Sequence, residues 1–161
     1  MEKREMNLEE IRTKMFEAAA SKRGTRCPCC DRHLKVYRRP LNASQARYLI
    51  FMAQKSGEGN PWLHVEMDFR DVSIPSRGDY AKLRYWGLIE PKPGESDRGG
   101  RSNGYWRLTD KGRAFVNGEI AVPARIHLLN NRVVGWSEAT TTIKQALGKR
   151  FDYAQLMGCA A

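Results

Sequence analysis

The most informative stretch of this sequence is residues 87–116, which read GLIEPKPGESDRGGRSNGYWRLTDKGRAFV. Two short stretches with apolar residues, Leu88–Glu90 and Tyr105–Leu108, flank a long segment rich in glycine, proline, serine and charge. Because such segments favour turns and irregular backbone, the pattern predicts a β-hairpin with a long loop at its tip. Thr109 then precedes Asp110–Val116 as an N-cap precedes a helix, and Asp110 stands in the first turn, where the helix dipole favours an anion. We therefore expect a hairpin followed at once by a short helix.

Three segments upstream of this hairpin have apolar residues at helical spacing, which predicts a helix in each. The predicted helices span residues 7–20, with Asn7 as N-cap, 42–56, closed by Gly57, and 76–86, ending at Gly87. Between them the sequence predicts short strands at Leu34–Tyr37, ending before Pro40, and at Trp62–Val65, then a turn or two of helix over Asp68–Ile74.

Downstream, residues 124–136 read ARIHLLNNRVVGW and place Asn130 and Asn131 between two apolar runs. Asparagine tolerates the positive φ of a two-residue hairpin turn, so this segment predicts a second β-hairpin. Ser137 is the predicted cap of a helix that runs through Leu147, and FDYAQLM at 151–157 predicts a last short helix. The predicted fold class is α+β, with four consecutive parts. These are an N-terminal helix and basic connector (1–26), a cysteine-containing segment (27–41), a central domain (42–117) and a hairpin-helix extension (118–161).

The central part resembles a known family. KLRYWGLI at 82–89, Asp-Arg at 97–98 and LTDKGRAF at 108–115 follow one another as in MarR-like and related winged helix-turn-helix regulators. The resemblance covers residues 42–117. The cysteine segment and the tail are foreign to the MarR family, and the whole looks like the small winged-helix proteins of bacteriophages and prophages. The resemblance implies a winged-helix core, a recognition helix at 76–86 and a wing at 92–104.

That resemblance implies binding of double-stranded DNA. The recognition helix has the length to enter a major groove about 12 Å wide, and the wing would follow the backbone or minor groove. The expected DNA-binding residues are Ser76, Arg77, Lys82 and Arg84 on the helix, and Lys92, Arg98, Arg101 and Asn103 on the wing. The wing carries three basic and two acidic residues, a net charge of only +1. A winged helix used to dock a protein therefore stays open as an alternative.

The composition of the chain favours some classes of function and argues against others. The 161 residues carry a net charge of +10, which favours an anionic partner. The charged N-terminus has no signal-peptide core, and no stretch is apolar enough to span a bilayer, so the sequence predicts a cytoplasmic protein without a membrane partner. Three cysteines crowded into 27–30 do not resemble a secreted disulfide scaffold. Motifs for nucleophilic, phosphate-binding or zinc-protease catalysis are absent from the sequence, so no enzyme is predicted.

Residues 25–39, TRCPCCDRHLKVYRR, contain the pattern C-P-x-C at Cys27 and Cys30, which looks like the knuckle of a zinc ribbon. A structural zinc ion takes four ligands, commonly Cys₄, Cys₃His or Cys₂His₂. The expected ligands are Cys27, Cys30 and His33. Cys29 is a further candidate, and His64 and Cys159 are reachable only through the fold. A reduced turn without metal and a redox pair remain alternatives, because a second C-x-x-C is absent.

Two functional hypotheses follow. The first is a DNA-binding winged-helix protein, acting as a transcriptional regulator or phage accessory factor. The second is a non-enzymatic inhibitor or adaptor that binds a host protein through the 119–161 hairpin and helices, with the winged helix as scaffold. Either leaves open whether the protein is a homodimer.

Overall fold

The computed structural model describes residues 6–73, 79–94 and 103–158 of the chain. The fold is mixed α+β, 36% helical and 22% strand, and its sheets are small and antiparallel. The chain divides into two compact units, which do not follow consecutive segments. The smaller unit comprises Met1–Arg39 and Ile126–Trp136, and the larger comprises Pro40–Arg125 and Ser137–Ala161.

The larger unit is built around one buried helix and one three-stranded sheet. Its elements are α2 (Ala43–Ser56), β4 (Leu63–His64), a 3-10 helix (Asp79–Trp86), β5 (Ile89–Pro91), β6 (Tyr105–Leu108), α3 (Asp110–Val116), β7 (Val122–Pro123), β10 (Thr140–Thr141), α4 (Ile143–Leu147) and α5 (Tyr153–Leu156). The sheet has the order β4-β6-β5, so the strand that comes last along the chain lies in the middle. Ile89 pairs with Leu108, and Leu63 pairs with Trp106.

Helix α2 lies where the sequence predicts a helix, over residues 42–56. Asn42 accepts a hydrogen bond from the backbone N–H of Gln45, whose side chain accepts one from the N–H of Asn42, a complete capping box. Its apolar face is sunk in the core, with Leu49 and Ile50 at 0% exposure. Each such side chain contributes about 1.5–3 kcal/mol to folding. The prediction that Gly57 ends the helix is also correct.

The helix predicted over 76–86 differs from expectation in kind. Residues 76–78 lie outside the described residues, and Asp79–Trp86 form a 3-10 helix instead of an α-helix. The buried side chain of Gln45 donates to the carbonyl of Asp79 at 3.0 Å. In an α-helix that carbonyl accepts from the N–H four residues on, so the Gln45 contact competes with the α-helical pattern at the first turn. Leu83 and Trp86 fill the core from this helix.

The C-terminal part of the larger unit corrects one prediction. Ser137 does not cap a helix, because its hydroxyl accepts from the N–H of Arg125 and donates to the carbonyl of Ala139, which holds a turn. The helix begins later, at Ile143, and Thr142 caps it with Gln145 in a capping box. Strand β10 pairs with β7 instead. The last helix, α5, is present as predicted.

The smaller unit contains helix α1 (Leu8–Ala19), a hairpin of β1 (Thr25–Arg26) and β2 (His33–Leu34), and a sheet of order β3-β8-β9. That sheet is formed by β3 (Tyr37–Pro40), β8 (Arg125–Leu129) and β9 (Arg132–Trp136). Two of its residues, Pro40 at the end of β3 and Arg125 at the start of β8, are assigned to the larger unit. Asn7 caps α1 and the Asn130–Asn131 turn has φ of 51° and 60°, as predicted. The strand predicted over Leu34–Tyr37 is instead two strands, because Val36 between them donates to the carbonyl of Ala19.

Candidate nucleic-acid interface

The motif residues of the larger unit join α3 to the end of the 3-10 helix. Gly87 has φ of 71°, which lets the chain turn from the helix into β5. The hydroxyl of Thr109 accepts from the N–H of Gly112 at 3.0 Å and donates to the carbonyl of Gly87. The ammonium of Lys111 donates to the carbonyl of Trp86 at 2.8 Å. Thr109 and Lys111 therefore satisfy carbonyls that the end of the 3-10 helix leaves open.

Gly112 allows α3 to pack closely against the backbone of Leu88, just before β5. A Cβ atom at this position would lie 2.0 Å from the carbonyl oxygen of Leu88. The N–H of Thr109 donates to that same oxygen at 3.1 Å. A side chain at residue 112 would therefore push α3 away from β5. The residues that carry the family resemblance thus fix the position of the hairpin against the helices.

The outward side of the 3-10 helix offers two of the predicted cations. Lys82 is ion-paired with Asp79 at 2.7 Å, and both side chains are about one-third exposed, at 35% and 33%. Arg84 is exposed, and its guanidinium lies 5.0 Å from the ring centre of Tyr85. Ser76 and Arg77, also predicted here, lie outside the described residues. Arg84 is therefore the more available of the two cations for a phosphate.

Lys92 and Asn103, at the base of the hairpin loop, both contact Tyr105. The N–H of Lys92 donates to the carbonyl of Tyr105 at 2.9 Å, and its ammonium lies 5.3 Å from the centre of that ring. The side chain of Asn103 accepts from the N–H of Tyr105 at 3.3 Å. Both residues are exposed. Arg98 and Arg101, further along the loop, lie outside the described residues.

Arg107 was missed by the sequence analysis. Its side chain donates to Glu90 at 2.6 Å, directly across the β5–β6 pair, and its guanidinium lies 4.2 Å from the ring centre of Trp62. The sequence contained a signal for this ion pair, because Glu90 and Arg107 lie on the two strands of the predicted hairpin and opposite charges at facing positions attract each other. Trp106, the next residue back, points inward at 1% exposure, whereas Tyr105 before it is half-buried.

The histidine of the sheet has a structural role. Nδ1 of His64 faces the N–H groups of Glu66 and Met67 at 3.3 and 3.4 Å, and the ring meets that of Tyr105 edge-on at 4.8 Å. The tyrosines behind the sheet are also structural. Burial is the main cause that raises the pKa of Tyr48, with the neighbouring Tyr80 as a second cause. Burial likewise raises the pKa of Tyr80.

The cysteine turn lies in the smaller unit, between β1 and β2. The N–H of Cys27 donates to the carbonyl of Arg32, and the N–H of Asp31 donates to the carbonyl of Cys27, both at 2.9 Å. The N–H groups of Cys29 and Cys30 hydrogen-bond the Cys27 sulfur and lower the pKa of its thiol. Cys29 and Cys30 are exposed. Within the part of the chain that the structure describes, no three His, Cys, Asp or Glu side chains are grouped to hold a metal ion, so His33 is not gathered with Cys27 and Cys30.

Comparison of the chain with protein-family models, with curated proteins and with solved structures finds no match. Across 6–73, 79–94 and 103–158 the structure contains no helix that is both long and apolar enough to cross a membrane.

Proposed function

We propose that the larger unit carries a winged helix-turn-helix fold and binds double-stranded DNA. The observation that carries the proposal is the sheet order β4-β6-β5, flanked along the chain by α2, the 3-10 helix and α3. Because β5 pairs with β6, Pro91 and Trp106 lie opposite each other at the end of the hairpin where the resemblance implies that the wing begins. The order of the described elements, helix, strand, 3-10 helix, hairpin and helix, agrees with the one that the MarR-like resemblance implies except at one point. The short helix expected over Asp68–Ile74 is replaced by turns over residues 65–71.

The charge of the molecule supports a nucleic-acid partner. Beyond the net +10 of the chain, Arg84 and Lys92 are exposed on the 3-10 helix and at the base of the loop. Arg77, Arg98 and Arg101, which the resemblance also implies as contacts, bring the set to five cations, whereas Lys82 is ion-paired with Asp79. If all five meet phosphates, the logarithm of affinity falls with the logarithm of salt at a slope of about −4.5. A regulator or phage accessory factor is the role we propose for such a protein.

The proposal is tested by fluorescence anisotropy with labelled duplexes of several sequences over a range of KCl concentrations. Arg98→Ala with Arg101→Ala should weaken binding to every duplex alike and flatten the salt slope by about 2, one unit for each lost phosphate contact. Arg84→Ala should act on the other contact surface and change sequence preference. Arg12→Ala with Arg132→Ala removes the same charge from the smaller unit and is the matched control.

Equal slopes for the wing variant and its control would contradict the proposal, because the loss would then reflect net charge alone. Failure of the unchanged protein to bind any duplex at low salt would contradict it outright.

A second function, a non-enzymatic adaptor or inhibitor that binds a protein, is favoured by one observation. The described large apolar side chains that are exposed lie mostly in the smaller unit, at Met6, Leu8, Phe16, Tyr37, Val133 and Trp136, with Met67 in the larger. Exposed apolar side chains mark a protein-binding site where they form one patch, and Leu8 and Phe16 lie on the same helix, α1. A partner retained from nuclease-treated lysate by the unchanged protein, and lost with Leu8→Glu and Phe16→Glu, would favour this function over DNA binding.

A further inference from the structure

Strand β3 of the smaller unit begins with an exposed tyrosine that lies next to two cations. All four residues of the strand are exposed, and Tyr37 keeps 45% of its surface in solvent. The ammonium of Lys35 lies 5.7 Å from the centre of the Tyr37 ring, and the guanidinium of Arg39 lies 5.1 Å from it. Tyr37 and Arg39, two positions apart on one strand, point to the same face. These three residues therefore form one row, the Tyr37 row.

The backbone before β3 fixes the outward position of this ring. Val36, between Lys35 and Tyr37, is buried at 5% exposure, and its N–H donates to the carbonyl of Ala19 at 2.9 Å. Because successive side chains of an extended chain point to opposite sides, burial of Val36 turns the side chain of Tyr37 towards solvent. Strand β3 also lies at an edge of its sheet. The Tyr37 row is therefore held on an accessible edge.

Two further cations lie beside Lys35. Lys22 and Arg23 are exposed in the turn between α1 and β1. The next residue, Gly24, packs against Lys35, because a Cβ added to Gly24 would lie 3.0 Å from the Cβ of Lys35. Residues 22–39 carry seven basic side chains and one acidic side chain, a net charge of +6 out of +10 for the whole chain. The Tyr37 row therefore belongs to the segment that holds most of the net charge.

We propose that the Tyr37 row binds a single strand of nucleic acid, with one base stacked on Tyr37 and the neighbouring phosphates at Lys35 and Arg39. Unpaired bases offer their faces to an aromatic ring, whereas the bases of a duplex stack on each other and expose only their edges in the grooves. This ligand and this unit differ from the duplex and the larger unit of the proposed function.

The strengths of the competing contacts favour the base. Stacking of one base on an aromatic side chain raises affinity about 5- to 150-fold. A contact between an exposed cation and a ring contributes only about 2- to 5-fold. A base can therefore displace Lys35 or Arg39 from the ring of Tyr37, and the displaced cation can then bind a phosphate.

The first test uses the unchanged full-length protein, and fluorescence anisotropy at low salt measures its affinity for labelled single strands of about 12 nucleotides. The probes are oligodeoxythymidine, oligouridine and an abasic strand of the same length. One or both base-bearing strands should bind about 5-fold or more tightly than the abasic strand, which keeps the phosphates but has no base to stack. Equal affinities for all three strands would overturn the proposal. A preference between the two base-bearing strands assigns the ligand to DNA or to RNA.

Variants then assign the ring. Tyr37→Ala should weaken single-strand binding about 5- to 150-fold, and Tyr37→Phe should retain it because its ring still stacks. Phe16→Ala is the matched control, because it removes a ring of similar exposure, 44%, from helix α1 of the same unit. A Tyr37→Ala protein that binds as tightly as Phe16→Ala, or a Tyr37→Phe protein that binds as weakly as Tyr37→Ala, would overturn the role of the ring.

The salt dependence of single-strand binding tests the two cations. Lys35→Ala with Arg39→Ala should flatten the salt slope by about 1.4, because each phosphate contact to a single strand contributes about 0.7. Arg12→Ala with Lys14→Ala removes the same charge from α1 and should leave the slope unchanged. Equal slopes for the two double variants would overturn phosphate binding by the Tyr37 row.

Labelled duplexes measured in parallel separate this site from the proposed function. Tyr37→Ala should leave duplex affinity unchanged, and an equal loss for duplexes and single strands would overturn the assignment to single strands. Duplex binding without single-strand binding would overturn this site alone. Single-strand binding without duplex binding would support this site and contradict the proposed function.

Discussion

Gly112→Ala is the change whose effect can be worked out most fully from the structure. The added Cβ would lie 2.0 Å from the Leu88 carbonyl oxygen, and protein Cβ atoms essentially never approach below 3.0 Å. Helix α3 must therefore move from β5 by at least 1.0 Å, the difference between those distances. Such a shift takes the bond from the Thr109 N–H to Leu88, now 3.1 Å, beyond hydrogen-bonding range.

The magnitude follows from three terms. Loss of that bond and of the Lys111 contact to Trp86 costs about 1 kcal/mol each. Overpacking adds about 1–3 kcal/mol, and the better helix propensity of alanine returns about 1 kcal/mol. We expect a net loss of about 2–4 kcal/mol in the free energy of unfolding. For a chain of this size that corresponds to a fall of about 5–15 °C in Tm.

Urea unfolding followed by tryptophan fluorescence measures this loss, because Trp86 and Trp106 are buried in the same unit. Gly59→Ala is the matched control, since a Cβ there meets nothing within 4 Å and its φ is not in the left-handed range. A Gly112→Ala protein as stable as the Gly59→Ala protein would refute the close packing of α3 on β5. An unchanged urea m-value would show that the unfolded state is not the origin of the loss.

Two further predictions concern other parts of the chain. Because burial raises the pKa of Tyr48, the unfolded chain loses this proton at lower pH than the folded one, so stability falls as pH rises above about 10. Tyr48→Phe should therefore flatten the decline in urea midpoint between about pH 9.5 and 11, and an unchanged decline would argue against the burial of this hydroxyl. Asn131 has φ of 60°, a left-handed conformation that asparagine tolerates better than alanine because its side-chain amide can hydrogen-bond locally. Asn131→Ala should therefore destabilise the β8–β9 hairpin by about 1 kcal/mol. Hydrogen exchange at Val133 and Val134 should then accelerate about fivefold, and equal exchange rates would contradict the turn conformation.

Local signals in the sequence predicted much of the fold. The caps at Asn7 and Thr109 and the Asn130–Asn131 turn depend on residues a few positions apart, so their chemistry is visible in the sequence. The capping box of Asn42 and Gln45 is equally local, although it was not predicted. The prediction at Ser137 was wrong for a related reason. The hydroxyl of Ser137 found a partner in Arg125, distant in sequence, and the capping box moved to Thr142.

Long-range contacts account for what the sequence did not reveal. The 3-10 geometry of Asp79–Trp86 coincides with a contact from Gln45, 34 residues earlier. The grouping of Ile126–Trp136 with the N-terminal residues depends on pairing between β3 and β8, which no local pattern encodes. For the candidate site, the helix and hairpin cations were named from the sequence. Thr109, Lys111 and Gly112, which lie in the stretch that resembles the MarR-like family, make contacts between α3, the 3-10 helix and Leu88, and DNA binding by the nearby cations stays a prediction.

The smaller unit is assembled from two separate segments of the chain, with residues 40–125 between them. During synthesis its first 39 residues leave the ribosome long before the partner strands β8 and β9 exist. Its three-stranded sheet can close only once residue 136 has emerged, by which time most of the larger unit has been translated. Shortening the chain from the C-terminus into β9 would therefore leave the N-terminal piece, with its cysteines and exposed apolar side chains, without the sheet that completes it.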